Sequence, residues 1–271
     1  MILDYSEFET ESSSSGIVNF VHLNNRKAFF AHDHICPFCK TTTSKAYAKQ
    51  KKDYPEWLFG SFDEFESVYQ CPNCGWWEYH YSNQSDAIID GIRASDNQYS
   101  SAIIKKYNVD SISVPIAALR SYIEKHPDAI YKIDAHKMEE LVRSVFSDIY
   151  PSCTVMAFGK TRDGGKDGLL IDDNGDQYII QVKRRSNPNA TEGIGPVREL
   201  MGASLDVDNV KGCLFVSTAD HFSHDAKTYA NHMIERACVE KYDLIDCKAF
   251  LKMVNITRTK QPTYWEQLLR L

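Results

Sequence analysis

In residues 137–150, KMEELVRSVFSDIY, the apolar positions are Met138, Leu141, Val142, Val145, Phe146 and Ile149. This i, i+3, i+4, i+7 spacing predicts a helix with one buried stripe. At about 100° per residue, Glu139 falls at the edge of that stripe, beside Phe146, whereas Glu140 points away toward Arg143 and Ser147. The pattern changes in 176–185, DQYIIQVKRR. There the alternation predicts a strand with Tyr178, Ile180 and Val182 on one face and Ile179, Gln181 and Lys183 on the other. The preceding run DGLLIDD, 167–173, predicts the partner strand of a hairpin. Upstream, VPIAALRSYIEKHP, 114–127, predicts a helix with Pro115 in its first turn and Pro127 at its end. From 128 to 256 the order helix, strand, strand, helix, strand, helix, strand, helix predicts an α/β domain. Ser223 is the expected N-cap of the helix that begins SHDAKTYA. The tail TYWEQLLRL reads as a final amphipathic helix.

The rest of the chain is less regular. ESSSSG, 11–16, closes what reads as a flexible lead-in, residues 1–16. Residues 17–81 are rich in aromatics and hold both paired cysteine motifs. The polar stretch from Ser82 to about Asp110 reads as a connector, leading with the 114–127 helix into the α/β domain at 128. Residues 257–271 are the tail. A chain of 271 residues fits two domains better than one core. With 43% hydrophobic and 25% charged residues the composition is that of a globular protein. No apolar run approaches the roughly 20 residues that span a bilayer. The acidic start MILDYSEFETESSSSG lacks the basic and apolar segments of a secretory leader. A reducing, cytoplasmic location without membrane attachment is therefore expected. The net charge of −6 argues against a surface that coats nucleic acid broadly, but leaves room for a small basic cleft.

The chain has eight cysteines. In a reducing compartment, tight pairs point to metal rather than disulfides. Cys36-Pro-Phe-Cys39 and Cys71-Pro-Asn-Cys74 each let two thiolates approach one cation from a single knuckle. Two knuckles complete a tetrahedral four-sulfur site that suits Zn²⁺ or iron, with Zn²⁺ the expectation here, and leaves no position for a reactive water, so the metal should be structural. The pattern resembles a zinc ribbon, which implies a small β-rich domain that binds nucleic acid or a protein partner. His32, His34 and His80 lie nearby, but four Cys already fill the shell. The insert 41–57, with Lys45, Lys49, Lys51 and Lys52, reads as a solvated loop. A rival reading makes it a phosphate-contacting finger with Tyr47, Tyr54 and Trp57 as stacking partners. Cys153, Cys213, Cys238 and Cys247 lie in or beside apolar segments and read as buried thiols.

The hairpin poses the sharper question. A two-residue Asn174-Gly175 turn would set Asp167 opposite Val182. A three-residue Asp173-Asn174-Gly175 loop, with Gly175 left-handed, would set it opposite Gln181. In the second register, which is the expectation here, Asp167, Gln181 and Lys183 cluster at the open end of the hairpin. Such a set suits phosphodiester hydrolysis, in which a metal polarises the phosphate and yields hydroxide at neutral pH. Mg²⁺ takes hard oxygen ligands. Asp167 and Gln181 offer two, and the carbonyl of Val182 a third. Lys183 could hold the attacking water or offset phosphate charge. Glu139 could join through a water, or could simply be an acid in the first turn of its helix; spacing alone leaves both open.

TRDGGKDG, a short hairpin and then IIQVKRR resemble the catalytic core of the Mrr-type restriction endonucleases, a branch of the PD-(D/E)xK nucleases in which Gln replaces the second acid. YIEKHPDAIYKIDAHKMEELV resembles the segment that leads into the family's core and the helix bearing its acid. GPVRELMGASLDVDNVKGCLFVSTADHFSHDAKTYA and YDLIDCKAFLKMV resemble its later helices and strands. The resemblance runs from about 120 to 256. It implies a restriction-endonuclease-like core, a mixed sheet flanked by helices, over residues 128–256. It makes Asp167 the metal-binding acid and Gln181 and Lys183 the QxK pair, with Glu139 in the place of the helix acid. Met138 stands where the family more often has Phe. Arg162, Arg184 and Arg185 are candidates for DNA phosphate contacts.

The expected activity is thus Mg²⁺- or Mn²⁺-dependent DNA cleavage in restriction of foreign DNA, beside a structural zinc. Double-strand cutting would make a homodimer natural. The rival classes are a silent DNA-binding or adaptor protein that recognises through the ribbon, and a nuclease activated only by a partner.

Overall fold

The computed structural model describes residues 1–15, 34–54, 60–87, 93–158, 166–257 and 263–270. The chain divides into two compact units, Met1–Ile2 with Tyr107–Gln261, and Leu3–Lys106 with Pro262–Leu271. No described helix is long and apolar enough to cross a membrane.

The first unit is built on a five-stranded mixed sheet in the order β14-β12-β10-β9-β8. Its strands are β8 (Thr154–Ala157), β9 (Gly168–Ile171), β10 (Gln177–Lys183), β12 (Val210–Ser217) and β14 (Lys241–Ile245). β10, β12 and β14 run parallel, and β9 is antiparallel to both β10 and β8. Among the described residues, five helices flank the sheet: α1 (Ile116–Lys125), α2 (Ala135–Ile149), α3 (Ile194–Ser204), α4 (His224–Glu235) and α5 (Cys247–Ile256). Alternation along the strands divides the core. Leu170, Ile180, Val182, Leu214 and Val216 pack with Leu119 of α1, Met138 and Phe146 of α2, and Phe250 of α5. Leu169, Ile179, Cys213 and Phe215 pack with Val197 and Leu200 of α3 and Ala226 of α4. The expected mixed sheet flanked by helices is present, with β8 as an additional edge strand.

The helix signals hold in detail. α2 buries the expected stripe, apart from half-buried Ile149 at its end. It begins two residues before the expected start because Asp134 accepts hydrogen bonds from the amides of His136 and Lys137, at 2.9 and 3.2 Å. Ser223 caps α4 through the Ala226 amide, as expected. Arg120 of α1 donates to Ser144 Oγ (3.0 Å) and Asp148 Oδ2 (2.5 Å) on α2, and to the carbonyl and hydroxyl of Thr257 (both 2.8 Å) beyond α5. One buried guanidinium thereby fastens three helices.

The second unit is a five-stranded antiparallel sheet in the order β2-β6-β5-β4-β3. Its strands are β2 (Phe8–Ser15), β3 (Ser44–Asp53), β4 (Gly60–Gln70), β5 (Trp77–Ala87) and β6 (Arg93–Ala102). Short strands β1 (Ile2–Asp4) and β7 (Lys105–Tyr107) pair with each other. Trp76, Trp77, Tyr79 and Trp265 form the unit's core with the first cysteine of each pair.

Three expectations about polar segments are corrected first. The serine run of the supposed lead-in is strand, paired with β6 from Phe8↔Ala102 to Ser15↔Ser95. The polar connector after Ser82 supplies the rest of β5 and all of β6. The lysine-rich insert is an edge strand along residues 44–53, not a solvated loop. The common reason is that ladder hydrogen bonds come from the backbone, so a polar sequence can form strands once neighbours present a matching edge. Edge lysines also suit a strand that must not pair with another molecule. The tail forms a 3₁₀ turn, Tyr264–Leu268, with Trp265 buried, instead of an α-helix. Cys238, expected to be buried, is exposed after the end of α4, while Cys213 and Cys247 are buried as expected.

Candidate active site and metal centre

The β9–β10 hairpin has the three-residue loop. Asp172 N–H donates to Asp176 O at 3.1 Å, and Gly175 takes a φ of +81°, a conformation open to glycine. The Asp172 carboxylate accepts the amides of Asn174 (2.9 Å) and Asp176 (3.0 Å) and fixes the turn. The ladder runs from Gln177↔Ile171 to Ile180↔Gly168, so its next step sets Asp167 across from Gln181. Asp167 N–H donates to Ile180 O at 2.9 Å, and its Oδ2 accepts the Val182 amide at 2.7 Å. The carboxylate therefore lies beside the last turn of β10's pleat.

Gln181 and Lys183 share the face covered by α3 and α4, on which Ile179 is core. Gln181 is 1% exposed, and its Oε1 has no hydrogen-bond partner among the described residues. An unpaired buried amide oxygen is costly, and such atoms in native structures usually mark a ligand, ion or water site. The N–H and C=O of one strand residue leave on the same side. Because the Val182 amide reaches Asp167, the Val182 carbonyl is directed to that side as well, where β9 has ended. Asp167, Gln181 and Val182 thus offer three hard oxygens at one strand end, with half-buried Lys183 next along. That donor set fits a divalent cation of the Mg²⁺ type.

α2 reaches this end through Arg143, whose Nη1 donates to Asp167 O at 3.0 Å. Glu139 precedes Arg143 by one helical turn. Its side chain is 23% exposed and lies 3.5 Å from His136 Nδ1. Glu140, at 47% exposure, pairs with buried Lys137 at 2.6 Å. The two acids differ as the helical stripe requires. The contact at the Glu139 carboxylate is His136, and the link from α2 to Asp167 is made by Arg143.

The basic residues divide. Arg162 lies outside the described residues. Arg184 donates from Nη1 to Tyr131 O at 3.2 Å. Lys166 is buried, 3.4 Å from Ala203 O near the end of α3 and over the Phe158 ring at 5.1 Å, so it anchors the chain before Asp167. Arg185 forms a forked pair with Glu192, Nε to Oε2 at 2.9 Å and Nη2 to Oε1 at 2.5 Å, which pushes the guanidinium pKa up. Glu192 is 1% exposed and also accepts Ser217 Oγ at 2.8 Å. Sequence reasoning missed Arg143, Glu192 and Ser217, because nothing in the local pattern separates them from surface residues.

In the second unit the sulfurs of Cys36, Cys39, Cys71 and Cys74 all lie within 4.8 Å of one another. A Zn–S bond of about 2.3 Å implies tetrahedral S···S edges of about 3.8 Å. The Cys36–Cys74 and Cys39–Cys71 separations are 3.6 and 3.3 Å, so the residues fit the ion. The knuckles repeat one geometry. The amides of Lys40 and Gly75 return to the carbonyls of Cys36 and Cys71, and the amides of those cysteines reach Thr41 O and Trp76 O. Lys40 and Gly75 are both left-handed, with φ of +60° and +84°. Hydrogen bonds from the side chain and backbone of Thr41 hold the Cys39 thiol down at about 6, while burial pushes Cys74 up to about 12. His34 stacks on Tyr69 at 3.8 Å and is not part of the four-sulfur group.

Residues 130–254 match the Mrr_cat family model, described as Restriction endonuclease. The match covers a little under half of the chain and takes in α2, the β9–β10 hairpin and most of α5. No curated protein and no solved structure matches the chain.

Proposed function

Starting from residues 130–254 as an Mrr_cat restriction endonuclease domain, we propose that this chain is a divalent-metal-dependent DNA endonuclease that restricts foreign DNA. The observation that carries this reading is the unpartnered, buried Gln181 Oε1 in register with the Asp167 carboxylate. Asp167, Gln181 and the Val182 carbonyl would hold Mg²⁺ or Mn²⁺, with Glu139 joining through a water. The cation, when bound, supplies Lewis acidity toward the phosphate and lowers the pKa of a bound water.

The protein groups do the remaining work. Val182 N–H orients the Asp167 carboxylate, and Arg143 fixes the backbone carbonyl of the same residue. Lys183 presents an ammonium that offsets charge growing on the phosphate and orients the attacking water. Arg184 supplies a phosphate contact at the rim. The four cysteines hold a structural Zn²⁺, and the β-rich unit around them is a candidate for DNA or protein recognition. A homodimer would place two such sites on the two strands of a duplex.

The test is incubation of wild-type protein and Asp167→Ala with methylated and unmethylated, single- and double-stranded DNA, plus Mg²⁺ or Mn²⁺. Cleavage by the wild type alone is the expected result; equal cleavage by both proteins would refute the site.

A further inference from the structure

Arg185 continues the face of β10 that carries Gln181 and Lys183, yet its guanidinium turns to a buried acid. Glu192 belongs to β11 (Thr191–Glu192), which pairs in parallel with β13 (His221–Phe222). It receives three hydrogen bonds, two from Arg185 and one from Ser217. Ser217 is the cross-strand partner of Lys183 on β12, and its hydroxyl also accepts the Ala219 amide at 3.1 Å. The next residue, Thr218, donates its amide to Lys183 O at 3.1 Å. Its hydroxyl accepts Arg185 N–H at 2.6 Å and donates to Arg185 O at 2.9 Å. The backbone on both sides of Arg184 is thus tied to the end of β12, and the Arg185 side chain closes the ring through Glu192 and Ser217.

We propose that Arg185 and Glu192 are a positioning pair for Lys183, holding the end of β10 in register with β12, and that Arg185 is not a DNA phosphate ligand. The reasoning is electrostatic and geometric. A carboxylate this far from water is a weak source of net stability even when well paired. What the pair does supply is direction: a planar fork fixes two atoms of a carboxylate whose third bond reaches the residue facing Lys183. Its charges cancel, so Arg185 adds little attraction for a polyanion. A general acid, base or charge-offsetting group must be held to within a fraction of an ångström, and a displacement of about 1 Å can cost about a hundredfold in rate. The proposal rests on the nuclease reading for its catalytic consequence, but its structural consequence does not.

Glu192→Gln and Arg185→Lys separate the two roles. Each keeps much of the volume; the first removes the charge that neutralises Arg185, the second keeps the positive charge but loses the fork. Positioning predicts that both lower kcat for metal-dependent cleavage by about ten- to a hundredfold. KM and the salt dependence of DNA binding should remain those of the wild type. A phosphate-contact role predicts instead that Glu192→Gln tightens DNA binding, that Arg185→Lys keeps kcat, and that Arg185→Met lowers the slope of log K against log salt by about 0.9. That pattern would overturn the proposal.

Amide hydrogen exchange at Thr218 in full-length wild type and Glu192→Gln supplies an independent readout. Faster exchange in the variant, with an unchanged melting temperature, supports positioning; unchanged exchange overturns it. If the wild type itself cuts no DNA, the nuclease reading fails, and the exchange result still decides whether Glu192 holds the strand end.

Discussion

Replacing Gln181 with Met should make the protein more stable and less active. The side chain is 1% exposed and its Oε1 lacks a partner, so in the absence of metal the fold bears the cost of an unsatisfied acceptor. That cost is about 1–3 kcal/mol. Met has similar length and no group that needs a hydrogen bond, and it adapts to irregular cores. In buffer with zinc but no Mg²⁺ or Mn²⁺, Gln181→Met should gain most of that amount, about 3–10 °C in melting temperature for a unit of this size. Added Mn²⁺ should reverse the order. At a hundred times its dissociation constant, an ion that binds only the native state contributes about 2.7 kcal/mol. Wild type should rise by that amount and the variant should barely move. Differential scanning calorimetry with and without Mn²⁺ reads both effects, and DNA cleavage by the variant should fall by about a hundredfold. The reasoning is refuted if Gln181→Met melts below the wild type without metal, or if Mn²⁺ stabilises both proteins equally.

Three further outcomes are expected. Arg120→Ala should cost about 1–3 kcal/mol in urea unfolding, because the Thr257 carbonyl loses its donor and partly exposed Asp148 its partner; Arg120→Lys should recover only part, since one ammonium cannot span both. Elemental analysis should find equimolar zinc in the wild type and none in Cys71→Ser, and the near-ultraviolet dichroism of the surrounding tryptophans should weaken in the variant. In native alkylation followed by mass spectrometry, exposed Cys238 should react, while Cys213, whose thiol burial pushes up to about 11, should not.

Much of the candidate site was legible because it rests on short periods and a turn. The stripe of α2 distinguished Glu139 from Glu140, and Gly175 in a three-residue loop fixed which residue faces Gln181. The two CPxC knuckles were legible for the same reason: the two cysteines of each turn lie three positions apart in sequence. The Arg185–Glu192 pair was not, because a loop of six residues separates the partners and only the docking of β11 beside β13 brings the acid inward. The long polar strands β2, β5 and β6 were hidden by composition. Their serines and asparagines carry no alternation of apolar residues, and the pairing that orders them is long-range.

The central claim is that the open end of β10 cuts DNA with a divalent cation held by Asp167. Asp167→Asn tests it most directly, because the amide oxygen can still accept the Val182 N–H and preserve the fold while the charge is lost. Supercoiled DNA is incubated with each protein in Mg²⁺ or Mn²⁺, at matched melting temperature, and nicked and linear products are quantified. The account predicts metal-dependent cleavage by the wild type and a loss of about a thousandfold or more in Asp167→Asn, as expected when about 4 kcal/mol of transition-state stabilisation is removed. Cleavage by Asp167→Asn at the wild-type rate would contradict it.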